Sequence, residues 1–253
     1  MRRIKKDRSA QALILTALLI ALIILSTKVY VLKVNRIPSE EDSFSSESFV
    51  RNVKLGSRNL VIGCLANISQ GGDNQNLESN VERWVSFVRE RYYYGECSLS
   101  FELYGTTPYS SGLWISWGDD GFGVTSADVE FSLTLTSEGT ETNVVYSTNV
   151  TTSLSISAVS TWEVEIHTIN VTIHLYNEGE PALAKNITVY YETLSGWMDA
   201  SLLESYQLED FGNGTYVASF TVGPPRTLNR GIMVKCYDQR EIYVQANTTC
   251  TDS

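Results

Sequence analysis

Between Ser9 and Thr27 the chain carries no charged residue. That stretch, SAQALILTALLIALIILST, constrains everything after it. A bilayer-crossing helix needs about 17–25 predominantly apolar residues, and a helix satisfies its own backbone polar groups where no water reaches. Arg2, Arg3, Lys5, Lys6 and Arg8 stand directly before the run, and a basic flank of this kind holds its side of the span in the cytoplasm. The reading is a cytoplasmic basic segment over 1–8, a single-pass transmembrane helix over 9–34 and an extracellular bulk. Membrane lipid is then the first expected partner. Pro38 interrupts a helix arriving from the membrane, and NRIPSEEDSFSSES, residues 35–48, is the linker.

The start of the run reads Asp7-Arg8-Ser9-Ala10-Gln11-Ala12. A small residue followed by glutamine at the head of an apolar helix resembles the class III (prepilin-type) signal of archaeal surface proteins. The resemblance implies cleavage between Ala10 and Gln11, with the hydrophobic helix left on the mature chain. Two features depart from the pilin pattern. The basic residue lies two places before Ala10, and Leu15 stands where many pilins carry glutamate. Two functions stay open: a membrane-anchored display or adhesion module of the cell envelope, and a pilin-like structural subunit of a surface filament.

Charge is distributed unevenly. Eight of the 19 Lys and Arg precede Ile37, but only Asp7 of the 29 Asp and Glu does. The remainder holds 11 basic against 28 acidic residues, a net −17. Such a surface repels polyanions and excludes nucleic acid as a partner. Four cysteines, Cys64, Cys97, Cys236 and Cys250, in an oxidising compartment suggest two disulfides. Three connectivities are available; pairing within each apparent domain favours Cys64–Cys97 and Cys236–Cys250. Six N-x-[ST] sequons fall at Asn67, Asn149, Asn170, Asn186, Asn213 and Asn247, candidate sites for N-glycosylation. In INVTI and NITV the apolar residues take one side, so Asn170 and Asn186 are expected to point outward.

Hydrophobic periodicity gives the architecture. Phe49, Val53, Leu60, Cys64 and Ile68 predict a helix over about 48–68, weakened by Gly56. Leu77, Val81, Trp84 and Val88 predict another. From Cys97 the period becomes two, with strands around 97–103, 113–117, 129–135 and 144–157. Further strands are expected at 163–167, 169–176, 186–192, 201–208, 215–222, 231–237 and 241–246, with turns at Asn177-Glu178-Gly179 and Gly212-Asn213-Gly214. The fold class is α+β: a mixed helix/β domain over 44–160, then a β-sandwich over 161–253. Val171–Glu192 and Phe211–Val222 resemble the CARDB-like and related immunoglobulin-like modules of prokaryotic surface proteins, which implies an immunoglobulin-like fold for the second domain.

Catalytic constellations are scarce. There is no H-E-x-x-H, no G-x-S-x-G and no G-x-x-x-x-G-K-[ST]. His167 and His174 are expected at solvated strand positions. The chain therefore reads as no enzyme, with no cofactor. Asp119 and Asp120 in the loop Gly118–Gly123, with Asp128 nearby, form a weak candidate metal site, since calcium takes spaced carboxylate oxygens. Tyr104, Tyr109, Trp114 and Trp117 cluster in sequence and could line a sugar- or peptide-binding surface. Partners beyond lipid would be other cell-surface proteins, glycans or copies of the chain. Protease added to intact, wall-stripped cells is expected to degrade the region after Asn35; protection until lysis would reverse the topology.

Overall fold

The structure is a computed structural model describing residues 46–92, 95–118, 120–137, 140–163, 166–223 and 230–252. The 1–8 segment, the 9–34 span, the Ala10–Gln11 junction, most of the linker and Asp119 lie outside those residues. Among the described residues no helix is long and apolar enough to cross a membrane. The chain divides into two units, Met1–Phe49 and Val50–Ser253. The second is mostly β-sheet with two helices.

Helix α1 (Ser46–Ser69) buries Val53, Ser57, Val61, Leu65 and Ile68 along one side, and α2 (Asn76–Arg91) buries Leu77, Val81, Val85 and Val88. These are the i, i+3, i+4 spacings of an amphipathic helix. Gly56 has a packing role, because a Cβ there would collide with the Trp84 ring. Trp84 Nε1 donates to Ser57 Oγ at 2.9 Å, and Ser57 Oγ lies 3.0 Å from Tyr146 OH. Gly71 closes α1 at φ +96°, with its N–H donating to Ile68 O, a conformation that favours glycine. Arg89 Nη2 donates to Leu99 O at 2.8 Å and ties α2 to the first strand.

Among the described residues thirteen strands follow: β1 (Glu96–Leu103), β2 (Leu113–Trp117), β3 (Phe122–Ser137), β4 (Thr140–Glu163), β5 (Ile166–Asn177), β6 (Glu180–Pro181), β7 (Ala184–Thr193), β8 (Gly196–Asp199), β9 (Gln207–Asp210), β10 (Thr215–Val222), β11 (Gly231–Asp238), β12 (Tyr243–Thr249) and β13 (Thr251–Asp252). One sheet runs β1-β3-β4-β5-β10-β9, with β2, β6 and β13 attached at its margins; the other runs β12-β11-β7-β8. Ile156, Ile173, Phe220, Val189, Val234 and Val244 meet in a core between the two sheets. Even-numbered residues of β4 share one face. Tyr146 on that face stacks on Phe131 at 5.3 Å and meets Ser57. Leu154, Ile156 and Ala158, on the same face, enter the inter-sheet core. The helices cover one end of a continuous face and the second sheet covers the other.

This arrangement changes the expected domain division. The boundary at 160/161 falls inside the β4–β5 pairing, which runs from Thr152↔Asn177 to Glu163↔Ile166. Residues of 44–160 and of 161–253 thus lie in one sheet and in one compact unit. His167 is a second correction: it shares the inward parity of Ile169 and Val171 and is buried.

The favoured disulfides are a third. Cys64 Sγ lies 3.8 Å from Asn76 O at the start of α2, and Cys97 lies by Arg89 near its end. Those two helix positions are roughly 20 Å apart at about 1.5 Å per residue. Cys250 N donates to Arg230 O, and Cys236 is six residues farther along that strand. The offset is roughly 20 Å at about 3.3 Å per residue, whereas bridged Cα atoms lie within about 7 Å. Neither Cys64–Cys97 nor Cys236–Cys250 is formed.

The sheets are joined by a buried ionic link. Asp238, fully buried at the end of β11, accepts from Arg240 N (2.8 Å) and Ile242 N (2.9 Å) through Oδ1. Its Oδ2 accepts from Arg240 Nε (2.8 Å) and from Thr152 Oγ1 of β4 (2.9 Å). Arg240 Nη1 reaches Glu178 Oε1 at 2.6 Å, and Nη2 donates to Thr151 O at 3.0 Å. Arg58 of α1 completes the chain with a 3.4 Å contact to Glu178 Oε2. Removing one member of a buried pair strands the other charge, at a cost of about 3–5 kcal/mol. Arg240→Ala is expected to lose that much in urea unfolding with an unchanged m-value. A loss below about 1 kcal/mol would mean that the N–H groups alone hold Asp238.

Candidate functional site

The β11–β12 hairpin is shaped from inside and presents its chemistry outside. Asp238 caps the turn by accepting two turn N–H groups, and Glu241 takes φ +67°. Strand alternation then sends Cys236 and Val234 inward and Lys235 and Tyr237 outward. Tyr237 pairs with Tyr243 across the hairpin, ring centroids 5.2 Å apart. On β7, Thr188 and Tyr190 face the same side, opposite Lys235 and Met233.

The end of α1 and the last residue of β2 close this surface into an open cleft of about 460 Å³. Its aromatic walls are Trp117, Tyr190, Tyr237 and Tyr243; Thr188, Lys235, Ser69 and Gln70 supply polar groups. Trp117 meets Tyr243 edge-on, with centroids 5.0 Å apart and planes at 89°. Its Nε1 donates to Thr125 Oγ1 at 3.2 Å, and that hydroxyl donates to Tyr243 O at 2.8 Å. Ser69 Oγ accepts from Tyr243 N at 3.0 Å, and Gln70 Nε2 donates to Glu241 O at 2.8 Å. The Lys235 ammonium lies over the Tyr190 ring at 4.9 Å, a cation–π distance. A Cβ on Gly123 would collide with the Gln245 carbonyl, so glycine lets β12 cross close over β3. Trp117 and Tyr243 are therefore held by backbone and hydroxyl contacts before any ligand arrives.

Tyr243 is half-buried, and burial, then the neighbouring Tyr237 and Tyr190 phenols, push its pKa up to about 12. At neutral pH it is a donor, and its OH donates to Gln245 Oε1 at 2.8 Å. Cys236, on the inner side, is likewise pushed up to about 12 by burial and then by Asp238. A thiol so protonated is a poor nucleophile. The cleft offers flat apolar faces, a cation, hydroxyls and amides: the equipment for binding a ring-bearing polar molecule.

The residues singled out from sequence are dispersed. Trp114 and Trp117 are three apart on β2 and lie on opposite faces of the sheet. Trp114 joins Tyr109 (6.0 Å) and Tyr104 (Tyr109–Tyr104, 5.4 Å) on the outer face of the first sheet. Asp128 lies there too, accepting from Ser147 Oγ (2.7 Å) and Asn149 Nδ2 (3.1 Å). Asp120 is exposed in the β2–β3 turn, before Phe122. Six residues separate Phe122 from Asp128 along β3, roughly 20 Å at about 3.3 Å per residue, so Asp120 and Asp128 share no ion. Among the described residues no three His, Cys, Asp or Glu side chains group around a common point.

The sequons differ in setting. Asn67, Asn149, Asn186 and Asn213 are exposed, and Asn170 and Asn247 are half-buried. Asn67 sits on α1 and accepts from Asn76 Nδ2 at 2.9 Å. Asn149 Nδ2 donates to Tyr109 OH at 2.9 Å. Asn213 Oδ1 accepts from Thr215 N in a turn. Asn186 faces outward beside Tyr237, and Gln245 Nε2 donates to Asn247 Oδ1.

Of the cleft's aromatic residues the sequence reading singled out only Trp117. The available signal was a coincidence of outward positions on β7, β11 and β12, legible only once the register is known. No family model matches the chain, and no curated protein matches it. The raised Tyr243 pKa has a sign. The unfolded phenol ionises near pH 10 and the folded one near 12, so the folded state binds the proton more tightly. The contribution is constant below about pH 10 and is lost as pH rises to about 12. Tyr243→Phe is expected to remove one late-titrating phenol from the native alkaline absorbance curve and to flatten the loss of stability over that window.

Proposed function

We propose that this chain is a non-enzymatic, membrane-anchored surface protein that displays a carbohydrate-recognition cleft outside the cell. The anchor half rests on the basic-flanked run Ser9–Thr27 and the acidic, sequon-bearing remainder. The observation that carries the binding half is the preorganised cleft of Trp117, Tyr190, Tyr237 and Tyr243 with Lys235 beside it. Sugar rings present C–H faces to aromatic rings and hydroxyls to amides and cations, which is the mixture of groups found here. An acidic partner protein or a polyanion fits less well, given the net −17 of the chain beyond Arg36.

The fold reading that accompanies this function is an immunoglobulin-like β-sandwich built around the core between the two sheets. Its support is the pair of mainly antiparallel sheets packed on one core, to which β4, β5 and β10 of one sheet and β7, β11 and β12 of the other contribute. The Ala10–Gln11 junction keeps a second reading in view, the pilin-like subunit. Its signature would be surface filaments in which this chain begins at Gln11.

The direct test is calorimetric titration of the protein with a panel of cell-surface oligosaccharides, beside Trp117→Ala and Tyr190→Ala. An aromatic contact is worth about 0.5–1.5 kcal/mol beyond its buried area, so each variant is expected to weaken binding several-fold with its fold intact. Binding that survives both substitutions unchanged would move recognition away from the cleft.

A further inference from the structure

Resting on that reading, we propose that the carbohydrate held by the cleft is the N-linked oligosaccharide of the chain's own Asn186. The sequon Asn186-Ile187-Thr188 lies within β7. Alternation turns Ile187 toward the inter-sheet core and leaves Asn186 and Thr188 on the outer side. Thr188 lines the cleft. Asn186 is exposed and is the direct cross-strand partner of Tyr237, an aromatic wall of the cleft. Directly opposed residues have Cβ atoms about 4.5–5.5 Å apart, so a sugar bonded to the Asn186 amide begins next to the Tyr237 ring. From there the cleft leads to Lys235 and Tyr190.

Neither Asn213 nor Asn149 stands in this relation to the cleft. Asn213 lies in a turn of the first sheet's β9–β10 hairpin. Asn149 lies on the outer face of the first sheet, its Nδ2 donating to Tyr109 OH and Asp128 Oδ2. The modification is a group transfer from a lipid-linked oligosaccharide diphosphate. The Asn186 Nδ2 bonds to the anomeric carbon and loses a proton, the anomeric C–O bond breaks, and the lipid diphosphate leaves. Once attached, the glycan is at high effective concentration for the cleft, since tethering makes its binding intramolecular. A glycan so placed stacks on Tyr237 and excludes free sugars from the same site.

The test uses the full chain and its Asn186→Gln variant, each made in a host with N-glycosylation machinery and in one without. Glycopeptide mapping gives occupancy, and the probe is the oligosaccharide released from the glycosylated protein, titrated by calorimetry. Three results are expected together. Asn186 is occupied; the glycosylated parent binds added oligosaccharide at least tenfold more weakly than glycosylated Asn186→Gln; and the two bind alike when made without the machinery. Glycan at Asn213 but none at Asn186 overturns the inference. So does an occupied Asn186 with equal binding by parent and variant, or a difference between them that persists without glycosylation. In those cases the cleft remains a carbohydrate site for other ligands. Protein from neither host binding the oligosaccharide removes the cleft reading itself, and this inference with it.

Discussion

A single buried carboxylate organises this molecule. Asp238 has no solvent exposure, yet it accepts four hydrogen bonds, from two turn N–H groups, a guanidinium and a threonine hydroxyl. Full satisfaction is what makes a buried charge tolerable, since an unpaired one is strongly disfavoured away from water. The geometry also distributes the constraint. The turn amides fix the β11–β12 hairpin, Thr152 fixes that hairpin to the middle of β4, and Arg240 carries the link on to Glu178 at the β5–β6 turn. Glu178 sits at φ +49° followed by Gly179 at +85°, a hairpin turn of the type that twists with its strands. Two sheets and α1 are thus held to one another through charges placed by two tight turns.

The length of β3 and β4 explains why the division into helix-plus-strand and all-strand parts does not make two domains. A face 24 residues long in β4 is more than either the helical pair or a four-stranded sheet covers alone. Apolar residues continue along it from Phe131 and Tyr146 to Leu154 and Ile156, so both coverings are required to keep it from water. The two coverings also touch. Ser69 at the end of α1 accepts from Tyr243 N, and Gln70 donates to Glu241 O. The cleft lies at that seam, which is why its lining comes from a helix end, an edge strand and three strands of the second sheet.

Much of the secondary structure was legible in the sequence because it rests on local periodicity. The helix around Leu77–Val88, the alternation from Cys97, and the strands near 113–117, 215–222 and 231–237 all correspond to observed elements. Two expected strands, 163–167 and 169–176, resolve into the end of β4 and a single β5, since Glu163 pairs with Ile166. The stretch 201–208 is mainly a 3-10 turn, Ala200–Leu202, and an irregular passage before β9; its first turn is set by the Asp199 side chain accepting from Ser201 N, a local cap that hydrophobic spacing does not encode. Gly56 looked like a flaw in α1 because its reason is the Trp84 ring, 28 positions away. The cysteine pairing failed for a related reason: grouping by apparent domain says nothing about offset along a strand, and six residues of offset suffice to separate two thiols.

Parity decides what the site can be. Along β11 the inner positions Val234, Cys236 and Asp238 belong to the core and the ionic link, and the outer positions Lys235 and Tyr237 belong to the cleft. A shift of one residue in the β7–β11–β12 register would bury the lysine and the tyrosines and expose the carboxylate. The inner face is the side that cannot tolerate error: Asp238 takes three of its four hydrogen bonds from its own β11–β12 turn and the fourth from Thr152 of β4, so a slip of that hairpin would strand the carboxylate. Stability on the inner face therefore carries the geometry of the outer one: the aromatic walls need no hydrogen-bond network of their own to stay in register. Their own contacts, Trp117 to Thr125 and Tyr243 to Gln245, serve instead to aim rings whose backbone positions are already set.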